Sequence, residues 1–427
     1  MILKTAKQGL QGKISVPGDK SISHRSLIFG AMAEGITVIE GLLLSEDVLA
    51  TMKAFQAMGI KIIQEGHLTY VYGKGLKGLT KPNHDLDMGN SGTSMRLISG
   101  LLAGQNFSTR LVGDASLSNR PMDRITIPLQ GMGAKIEGQT QKANPPLFIE
   151  EVAELKPITY HLPIASAQVK SAILLAAIQA KGQTKVIEKE LTRNHTEEMI
   201  RQFGGEIAVQ GKEITINGPQ SLKAQRFKVP GDISSAAFWI VAALIVPGSD
   251  IMLTNVGINK TRTGVLDVVK AMGGMIELTD EDKVNQSATI RVRYSQLKAT
   301  EISGQLIPRL IDELPIIALL ASQAKGQTTI SDAEELRVKE SDRIALVTEI
   351  LSTFGVAIEA KSDGMIINGP NQLRGGKVDA HLDHRLAMMA VIASLVVNDG
   401  SVDLSGSQAI ATSYPTFLTD LERISNG

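Results

Sequence analysis

The sequence predicts an α/β protein whose two domains are built from repeated units of helices and short strands. Three features support this prediction. The chain has 427 residues, 43% of them hydrophobic, which is enough for about two or three domains with their own cores. A helical run, an aromatic residue or Met, a Gly and an apolar strand recur about every seventy residues. The tetrapeptide Val-Pro-Gly-Asp occurs twice, beginning at Val16 and at Val229.

The recurring pattern indicates duplicated supersecondary structure. It reads FQAMGIKII at Phe55 and returns four times with a Gly at the same place. A Gly there can adopt the left-handed conformation that ends a helix, so each unit is predicted to be a helix followed by strands. The glycines are Gly59, Gly133, Gly204, Gly273 and Gly355.

The first of these units shows the elements that each unit contains. Ser45 is a favourable N-cap, and the strands after Gly59 are predicted to form a hairpin that turns near Glu65-Gly66. Several units must pack together, because one helix cannot bury its apolar face alone. At helical spacing that face contains Val48, Leu49, Met52, Phe55 and Met58.

A sixth unit is expected to be split between the two chain ends, with a last helix over 414–424 and strands within 2–16 that complete units elsewhere. The first domain then covers 19–229, and the second covers 1–18 together with 230–427. The two Val-Pro-Gly-Asp segments mark the crossings, Pro17-Gly18 and Pro230-Gly231. Pro fixes φ and Gly permits unusual φ, so each pair suits a hinge; two ordinary turns are the alternative.

The composition excludes several classes of function. The 44 basic and 44 acidic residues give a net charge of zero, so we expect no nucleic-acid or membrane partner. The chain has no cysteine, which excludes disulfides, thiolate metal sites and cysteine nucleophiles. No His, Asp and Glu spacing resembles a metal site. The N-terminal segment has no apolar run typical of a signal peptide, and the apolar stretch 236–246 is too short to span a bilayer.

Cationic residues recur near the predicted helix starts. The segment PGDKSISHR brings Lys20, Ser21 and Arg25 to one such start. A helix start suits an anion, and cations there oppose the helix dipole unless an anion compensates for them. A solvated basic turn is the alternative. In GNSGTSMR, a loop of small residues around Gly92 offers backbone N–H groups to a phosphate, although it is not a Walker A loop.

Further helix starts carry the same kind of residue. In a neutral protein this placement favours one shared site for a polyanionic ligand, since Arg binds carboxylates and phosphates bidentately. The residues are Arg120 and Arg124; Ser166, Gln168 and Lys170; Arg193 and His195; Lys339 and Arg343; and His384 and Arg385.

Two carboxylates are candidates for proton transfer. Asp312 precedes a strongly apolar run, and Glu340 lies between Lys339 and Arg343. An acid and a base beside a cationic pocket suit proton transfer. The alternatives are a helix N-terminal acid next to Glu313 and a surface ion pair, which contributes little.

Six motifs occur in order across nearly the whole chain: PGDKSISHR, GNSGTSMR, RPMDR, SAQVKSA, RVKESDR and DHR. Together they resemble the EPSP synthases, the 3-phosphoshikimate 1-carboxyvinyltransferases. The resemblance implies a two-domain, inside-out α/β barrel of six βαβαββ repeats with a cleft that closes on ligand. It implies transfer of the enolpyruvyl group of phosphoenolpyruvate to the 5-hydroxyl of shikimate 3-phosphate, on the route to aromatic amino acids. It also implies a cytoplasmic monomer that needs no cofactor.

The resemblance also implies roles for individual residues. Lys20 matches a lysine that contacts both substrates, Asp312 resembles the base for the 5-hydroxyl, and Glu340 resembles the acid that protonates the methylene carbon. The positions near shikimate 3-phosphate are Lys20, Ser21, Arg25, Ser166, Ala167, Gln168, Arg193, Asp312 and Lys339. The positions near phosphoenolpyruvate are Lys20, Gly92, Arg120, Gln168, Arg343 and Arg385.

Some features depart from part of the family. Thr412 stands where some members have Lys, and Glu335 stands where some have Asn. The segments RNHTE, GDKS, SAQVK and NKTR resemble the class II branch, which often tolerates glyphosate, a mimic of phosphoenolpyruvate. Gly92 has no methyl group to crowd that inhibitor, which favours sensitivity.

Three other functions stay open at this point. A sister enolpyruvyl transferase acts on UDP-N-acetylglucosamine and usually uses a loop cysteine, which this chain lacks. RNA 3′-phosphate cyclases share a related repeat fold, but the neutral charge and sparse aromatic residues give no support for RNA binding. A polyanion-binding protein without turnover would not need Asp312 and Glu340.

Overall fold

A computed structural model describes residues 1–3, 5–6 and 8–425. The chain divides into two compact units. The continuous unit is Gly18–Val229, and the split unit joins Met1–Pro17 to Pro230–Gly427. Each unit has a hydrophobic core of its own.

The secondary structure is mixed throughout both units. The strands are β1 (Ile2–Leu3), β2 (Gln11–Ile14), β3 (Glu34–Glu40), β4 (Lys61–Glu65), β5 (Leu68–Lys74), β6 (Leu86–Asp87), β7 (Thr109–Val112), β8 (Lys135–Glu137), β9 (Leu147–Glu150), β10 (Thr159–His161), β11 (Gly182–Ile187), β12 (Ile207–Gln210), β13 (Glu213–Gly218), β14 (Arg226–Lys228), β15 (Asp250–Gly257), β16 (Met275–Asp282), β17 (Ser287–Arg293), β18 (Glu301–Ile302), β19 (Gly326–Ile330), β20 (Ala357–Ala360), β21 (Met365–Gly369), β22 (Leu373–Asp379) and β23 (Val397–Ser405). The helices are α1 (Lys20–Met32), α2 (Glu46–Ala57), α3 (Gly92–Leu102), α4 (Ala115–Ser118), α5 (Asp123–Gly131), α6 (Ala167–Ala177), α7 (His195–Gln202), α8 (Ile233–Ile245), α9 (Gly264–Ala271), α10 (Leu314–Ser322), α11 (Arg343–Thr353), α12 (His384–Ser394) and α13 (Phe417–Ser425). Short 3₁₀ helices are Gly304–Arg309, Glu334–Val338 and Ser407–Thr412.

The described strands form six small sheets, three in each unit. Five sheets have four strands, in the orders β14-β3-β5-β4, β6-β7-β9-β8, β10-β11-β13-β12, β2-β15-β17-β16 and β18-β19-β21-β20. In each order the first pair is parallel and the next two pairs are antiparallel. Two helices of eight or more residues accompany each sheet, and the repeat of β6–β9 also contains the four-residue α4. The predicted α/β fold of six βαβαββ repeats is therefore confirmed.

The sixth repeat is split between the chain ends, as the sequence predicts. Its sheet has the order β1-β23-β22, in which β1 from the N-terminal end pairs antiparallel with β23. The helices of this repeat are α12 and α13. The last helix begins at Phe417 rather than at Tyr414, because a residue that precedes proline, here Pro415, is disfavoured in the helical conformation.

The two Val-Pro-Gly-Asp segments occupy equivalent positions in the repeats. β2 lies parallel to β15, β14 lies parallel to β3, and each strand leads through Val-Pro-Gly-Asp into a buried helix. Asp19 and Asp232 cap those helices, since their carboxylates accept hydrogen bonds of 2.8 Å from the backbone N–H groups of Ile22 and Ser234. The chain passes from one unit to the other at both segments.

The repeat pattern has the predicted local structure. The five punctuating glycines all have positive φ, from 81° to 88°, and Gly66 turns the β4–β5 hairpin at φ 58°. On α2 the predicted apolar face is buried except for Leu49, which is half-buried. Ser45 lies at the N-cap of α2, but its side chain makes no capping hydrogen bond.

The first helix of each repeat is almost entirely buried in its unit. In the continuous unit these helices are α1, α3 and α6, and in the split unit they are α8, α10 and α12; neighbours among them pack together. On α8 all residues from Ile233 to Ile245 are buried. Most charged side chains on these helices are therefore near their first turns, which brings polar groups together at one end of each trio.

We predict that Tyr414→Phe destabilises the split unit. The Nε1 of Trp239 donates a 2.9 Å hydrogen bond to the hydroxyl of Tyr414, which donates one of 2.9 Å to Asp420. Burial and the Asp420 carboxylate both raise the pKa of Tyr414. Loss of the hydroxyl leaves the buried Trp239 N–H without its acceptor, which costs about 1–3 kcal/mol. Trp239 is the one tryptophan, so its fluorescence during urea unfolding reports this change.

The matched control is Tyr294→Phe in the same unit, where the tyrosine is 37% exposed. We expect its unfolding midpoint to equal that of the wild type. Equal midpoints for all three proteins would contradict the structural role of the Tyr414 hydroxyl.

Candidate active site

The start of α1 carries two of the predicted cations. Lys20 pairs with the Asp47 carboxylate of α2. Arg25 is only 4% exposed, and its Nε and Nη2 donate to Thr196 Oγ1 at 2.7 Å and to Ser171 Oγ at 2.8 Å. These bonds fix Arg25 between α1, α6 and α7.

The start of α3 surrounds Gly92 with guanidinium groups. Arg120 donates from Nη2 to Asn90 Oδ1 at 2.7 Å. A Cβ atom added to Gly92 would lie 3.1 Å from Nη1 of Arg120 and 3.3 Å from Nη1 of Arg96. A residue without a side chain is therefore needed for both guanidinium groups to approach this helix start so closely.

The start of α6 is bonded to the start of α3. The side chain of Ser166 caps α6 by accepting from the Val169 N–H. Gln168 accepts from Nη1 of Arg96 and donates to Thr93 Oγ1 at 2.9 Å. Arg96 was not among the predicted site residues, although it ends the motif GNSGTSMR and follows Gly92 by one helical turn.

Lys170 lies at the start of α6 as predicted, but its side chain does not face a shared anion site, so that part of the interpretation was wrong. Its side chain is 1% exposed and lies inside the continuous unit. Its Nζ is 3.0 Å from Glu188 Oε1 and 2.7 Å from Glu197 Oε1. Lys170 is the fourth residue of α6 and faces the interior of the unit, whereas Arg193 is half-buried just before α7.

In the split unit, Asp312 lies just before α10 among three predicted cations. Its Oδ1 is 3.2 Å from Nζ of Lys339 and 3.7 Å from Nη1 of Arg343. Its backbone carbonyl accepts a 3.0 Å hydrogen bond from Nη1 of Arg385. Residues at or just before the starts of α10, α11 and α12 thus meet at Asp312, through its carboxylate and its backbone carbonyl.

Arg343 forms ion pairs with all three carboxylates of this cluster, those of Asp312, Glu340 and Asp383. Its Nε donates to Asp383 Oδ2 at 2.8 Å, and its Nη2 is 2.6 Å from Glu340 Oε2. Burial alone would lower the pKa of Arg343, but Asp383, Glu340 and Asp312 raise it. Burial would raise the pKa of Asp383, but the pairing with Arg343 lowers it. Asp383 begins the motif DHR and was not singled out from the sequence.

His24 connects three helices of the continuous unit and was also missed. It is fully buried. Its Nδ1 is 2.8 Å from Thr51 Oγ1, which is 2.7 Å from Ser94 Oγ. Burial, Lys20 and Arg25 lower the pKa of His24 well below its usual 6.5, so the ring is neutral near pH 7.

The two clusters differ in charge. The predicted site residues of the continuous unit include four cations, Lys20, Arg25, Arg120 and Arg193, and no carboxylate. Those of the split unit combine Asp312 and Glu340 with three cations. The first set suits the binding of anions, and the second suits proton transfer beside a bound anion. Among the residues that the structure describes, no group of three or more His, Asp or Glu side chains could hold a metal ion.

Comparison with known sequences points to one family. The sequence model described as EPSP synthase (3-phosphoshikimate 1-carboxyvinyltransferase) matches residues 4–421. The chain is 60% identical over 426 residues to the 3-phosphoshikimate 1-carboxyvinyltransferase of Streptococcus gordonii, and 100% of each chain is covered. It is 60% identical over 415 residues to the enzyme of that name from Streptococcus uberis, with 97% of each chain covered.

Solved structures give the same result. An EPSP synthase from Acinetobacter baumannii matches with a TM-score of 0.88 and 44% identity, covering 99% of this chain and 97% of that chain. The enolpyruvyl transferase NikO from Streptomyces tendae matches with a TM-score of 0.79 and 18% identity, over 99% of this chain and 97% of that chain. The second similarity shows the fold alone.

We predict that His24 makes stability depend on pH. Because the pKa of His24 is lower in the folded state, the unfolded state binds more protons below about pH 6.5, and stability falls as the pH drops. Between pH 7.5 and 5.5 the free energy of unfolding of the wild type should fall by about 1 kcal/mol more than that of His24→Asn. Urea unfolding at both pH values measures the difference, and parallel losses in both proteins would contradict it.

Proposed function

The chain belongs to the EPSP synthase (3-phosphoshikimate 1-carboxyvinyltransferase) family, and we propose that the two clusters described above carry out the family reaction. The protein transfers the enolpyruvyl group of phosphoenolpyruvate to the 5-hydroxyl of shikimate 3-phosphate. The products are 5-enolpyruvylshikimate 3-phosphate and phosphate, and the reaction is a step of the shikimate pathway to aromatic amino acids.

The chemistry determines which groups are needed. The 5-hydroxyl oxygen bonds to C2 of phosphoenolpyruvate as the hydroxyl loses its proton, while C3 gains a proton. The resulting tetrahedral intermediate then loses phosphate from C2 and a proton from C3, which restores the double bond. Anion binding holds the phosphate and carboxylate groups of both substrates, and two positioned groups move the protons.

The continuous unit supplies anion binding in this proposal. Shikimate 3-phosphate is bound by the cations Lys20, Arg25 and Arg193 together with Ser21. The start of α6 also contacts it, through Ser166, Ala167 and Gln168. Arg120 and the loop at Gly92 bind phosphoenolpyruvate. The support is that Arg25 and Gln168 are held by hydrogen bonds to neighbouring helices, so these groups are oriented before a substrate arrives.

The split unit supplies proton transfer. Asp312 accepts the proton of the 5-hydroxyl, Glu340 protonates C3, and Arg343, Arg385 and Lys339 bind the anionic groups beside them. The observation that carries the proposal is the pairing of Asp312 and Glu340 with the same guanidinium group, at 3.7 Å and 2.6 Å. Arg343 thereby holds the base Asp312 and the acid Glu340 next to a guanidinium group that binds an anionic group of the substrate.

The experiment that tests this function measures phosphate release from phosphoenolpyruvate with different acceptors. We expect release with shikimate 3-phosphate and none with UDP-N-acetylglucosamine. Release with the nucleotide sugar alone would overturn the proposal in favour of the sister enolpyruvyl transferase. Binding of shikimate 3-phosphate without release would instead favour a polyanion-binding protein.

We predict that Asp312→Asn lowers kcat by about 10²- to 10⁴-fold, because the amide cannot accept the hydroxyl proton. The amide keeps the size of the side chain, so the unfolding midpoint should change little. Asp399→Asn, at an exposed position of the same unit, is the control and should keep the wild-type kcat. Turnover of Asp312→Asn close to that of the wild type would remove Asp312 from its role.

We further propose that glyphosate competes with phosphoenolpyruvate near Gly92. Because an added methyl group would lie 3.1 Å from Arg120 and 3.3 Å from Arg96, Gly92→Ala should displace these groups. We predict a higher inhibitory concentration of glyphosate and a higher KM for phosphoenolpyruvate in steady-state assays. Gly131→Ala, where the methyl group would meet open space, is the control. Unchanged inhibition of Gly92→Ala would contradict the assignment.

Two expectations from the family stay predictions: the chain acts as a monomer, and it acts in the cytoplasm. Within the described part of the chain, no helix has the length and apolar character needed to cross a membrane. Sedimentation at assay concentrations measures the oligomeric state.

A further inference from the structure

A cluster of three buried charges lies inside the continuous unit. Its lysine follows the residues of α6 that are assigned to shikimate 3-phosphate. Lys170 of α6 pairs with Glu188 and Glu197 at 3.0 Å and 2.7 Å, and all three side chains are at most 3% exposed. Removing one partner of a buried ion pair is strongly unfavourable, because the remaining charge has no compensation. The cluster therefore connects the three segments that contribute its members.

The first connection leads to Arg193. Oε1 of Glu188 accepts hydrogen bonds from the backbone N–H of Thr192, at 3.1 Å, and from the Thr192 hydroxyl. These bonds close the loop between β11 and α7 at the residue directly before Arg193. The position of the Arg193 backbone thus depends on a carboxylate that Lys170 holds.

The second connection leads to Arg25. Glu197 belongs to the first turn of α7, next to Thr196, whose hydroxyl accepts from Arg25 Nε at 2.7 Å. Ser171, which follows Lys170 on α6, lies 2.7 Å from the Thr196 hydroxyl and accepts from Arg25 Nη2 at 2.8 Å. A shift of α7 relative to α6 would therefore change the distance between the two hydroxyl partners of the Arg25 guanidinium.

The residues assigned to phosphoenolpyruvate are held differently. Arg120 is bonded to Asn90, and the loop at Gly92 lies close to the guanidinium groups of Arg120 and Arg96. None of these contacts involves Lys170, Glu188 or Glu197. Loss of the cluster should consequently act on one substrate more than on the other.

We propose that Lys170 is a positioning residue for shikimate 3-phosphate, which acts through Glu188 on Arg193 and through Glu197 on Arg25. The proposal rests on the proposed function of this site. Lys170 does not touch the substrate in this account. It sets the distance between two cations that bind the substrate's anionic groups.

The test compares steady-state kinetics and shikimate 3-phosphate binding by calorimetry for the wild type and Lys170→Met. We expect KM and Kd for shikimate 3-phosphate to rise by about tenfold or more, as for the loss of charged hydrogen bonds. We expect KM for phosphoenolpyruvate to change by less than about threefold. Lys170→Arg, which keeps the charge, should recover part of the affinity.

Two further variants separate positioning from stability. Leu175→Ala removes a fully buried side chain from the same helix and should lower the unfolding midpoint without raising KM for shikimate 3-phosphate. The triple variant Lys170→Met/Glu188→Gln/Glu197→Gln contains no uncompensated buried charge, so it should fold better than Lys170→Met. Its KM for shikimate 3-phosphate should nevertheless stay raised, because the ionic connections are absent.

The outcomes distinguish this inference from the proposed function. Lys170 has only a structural role if the triple variant regains both stability and wild-type KM, or if both KM values rise equally in Lys170→Met. Either result overturns the inference and leaves the proposed function intact. A wild-type protein that releases no phosphate with shikimate 3-phosphate overturns both.

Discussion

The nearly complete burial of one helix in each repeat is the constraint on which the rest of the structure depends. A helix enclosed by apolar neighbours admits few charged side chains along its length, and its first turn still presents backbone N–H groups that need partners. Polar residues therefore collect at the helix starts, where Asp19, Ser91, Ser166, Asp232 and Asp383 supply caps. The functional residues lie in or beside the same first turns, so the burial of these helices also determines where the functional side chains lie.

The two units use this arrangement for different purposes. In the continuous unit, cations at helix starts are oriented by hydroxyl and amide partners, as Arg25 is by Thr196 and Ser171. In the split unit, the cation Arg343 is buried among carboxylates, and these include the two groups to which proton transfer is assigned. The duplicated Val-Pro-Gly-Asp shows the same divergence. It leads to Lys20 and Arg25 in one copy and to the entirely buried α8 in the other.

Much of this could be predicted from the sequence, because the decisive signals are local. Gly59 and its four counterparts in the repeat pattern each follow the end of a helix, and the order of the motifs identifies the family. What could not be predicted depends on which side of a helix faces the core. Lys170 and Gln168 are two residues apart in one motif, yet one is buried in an ion cluster and the other is bonded to the start of α3. Likewise His24 and Asp383 belong to recognised motifs, but their roles depend on partners distant in sequence.

The affinity of Glu340→Gln for shikimate 3-phosphate is the measurement that tests this division of roles most directly. Cations bind the substrates in the proposed division of roles, and Glu340 transfers a proton. Calorimetry should therefore give a Kd within about threefold of the wild-type value, while phosphate release falls by about 10²-fold or more. A loss of affinity as large as the loss of turnover would contradict the account, because it would make Glu340 a binding residue.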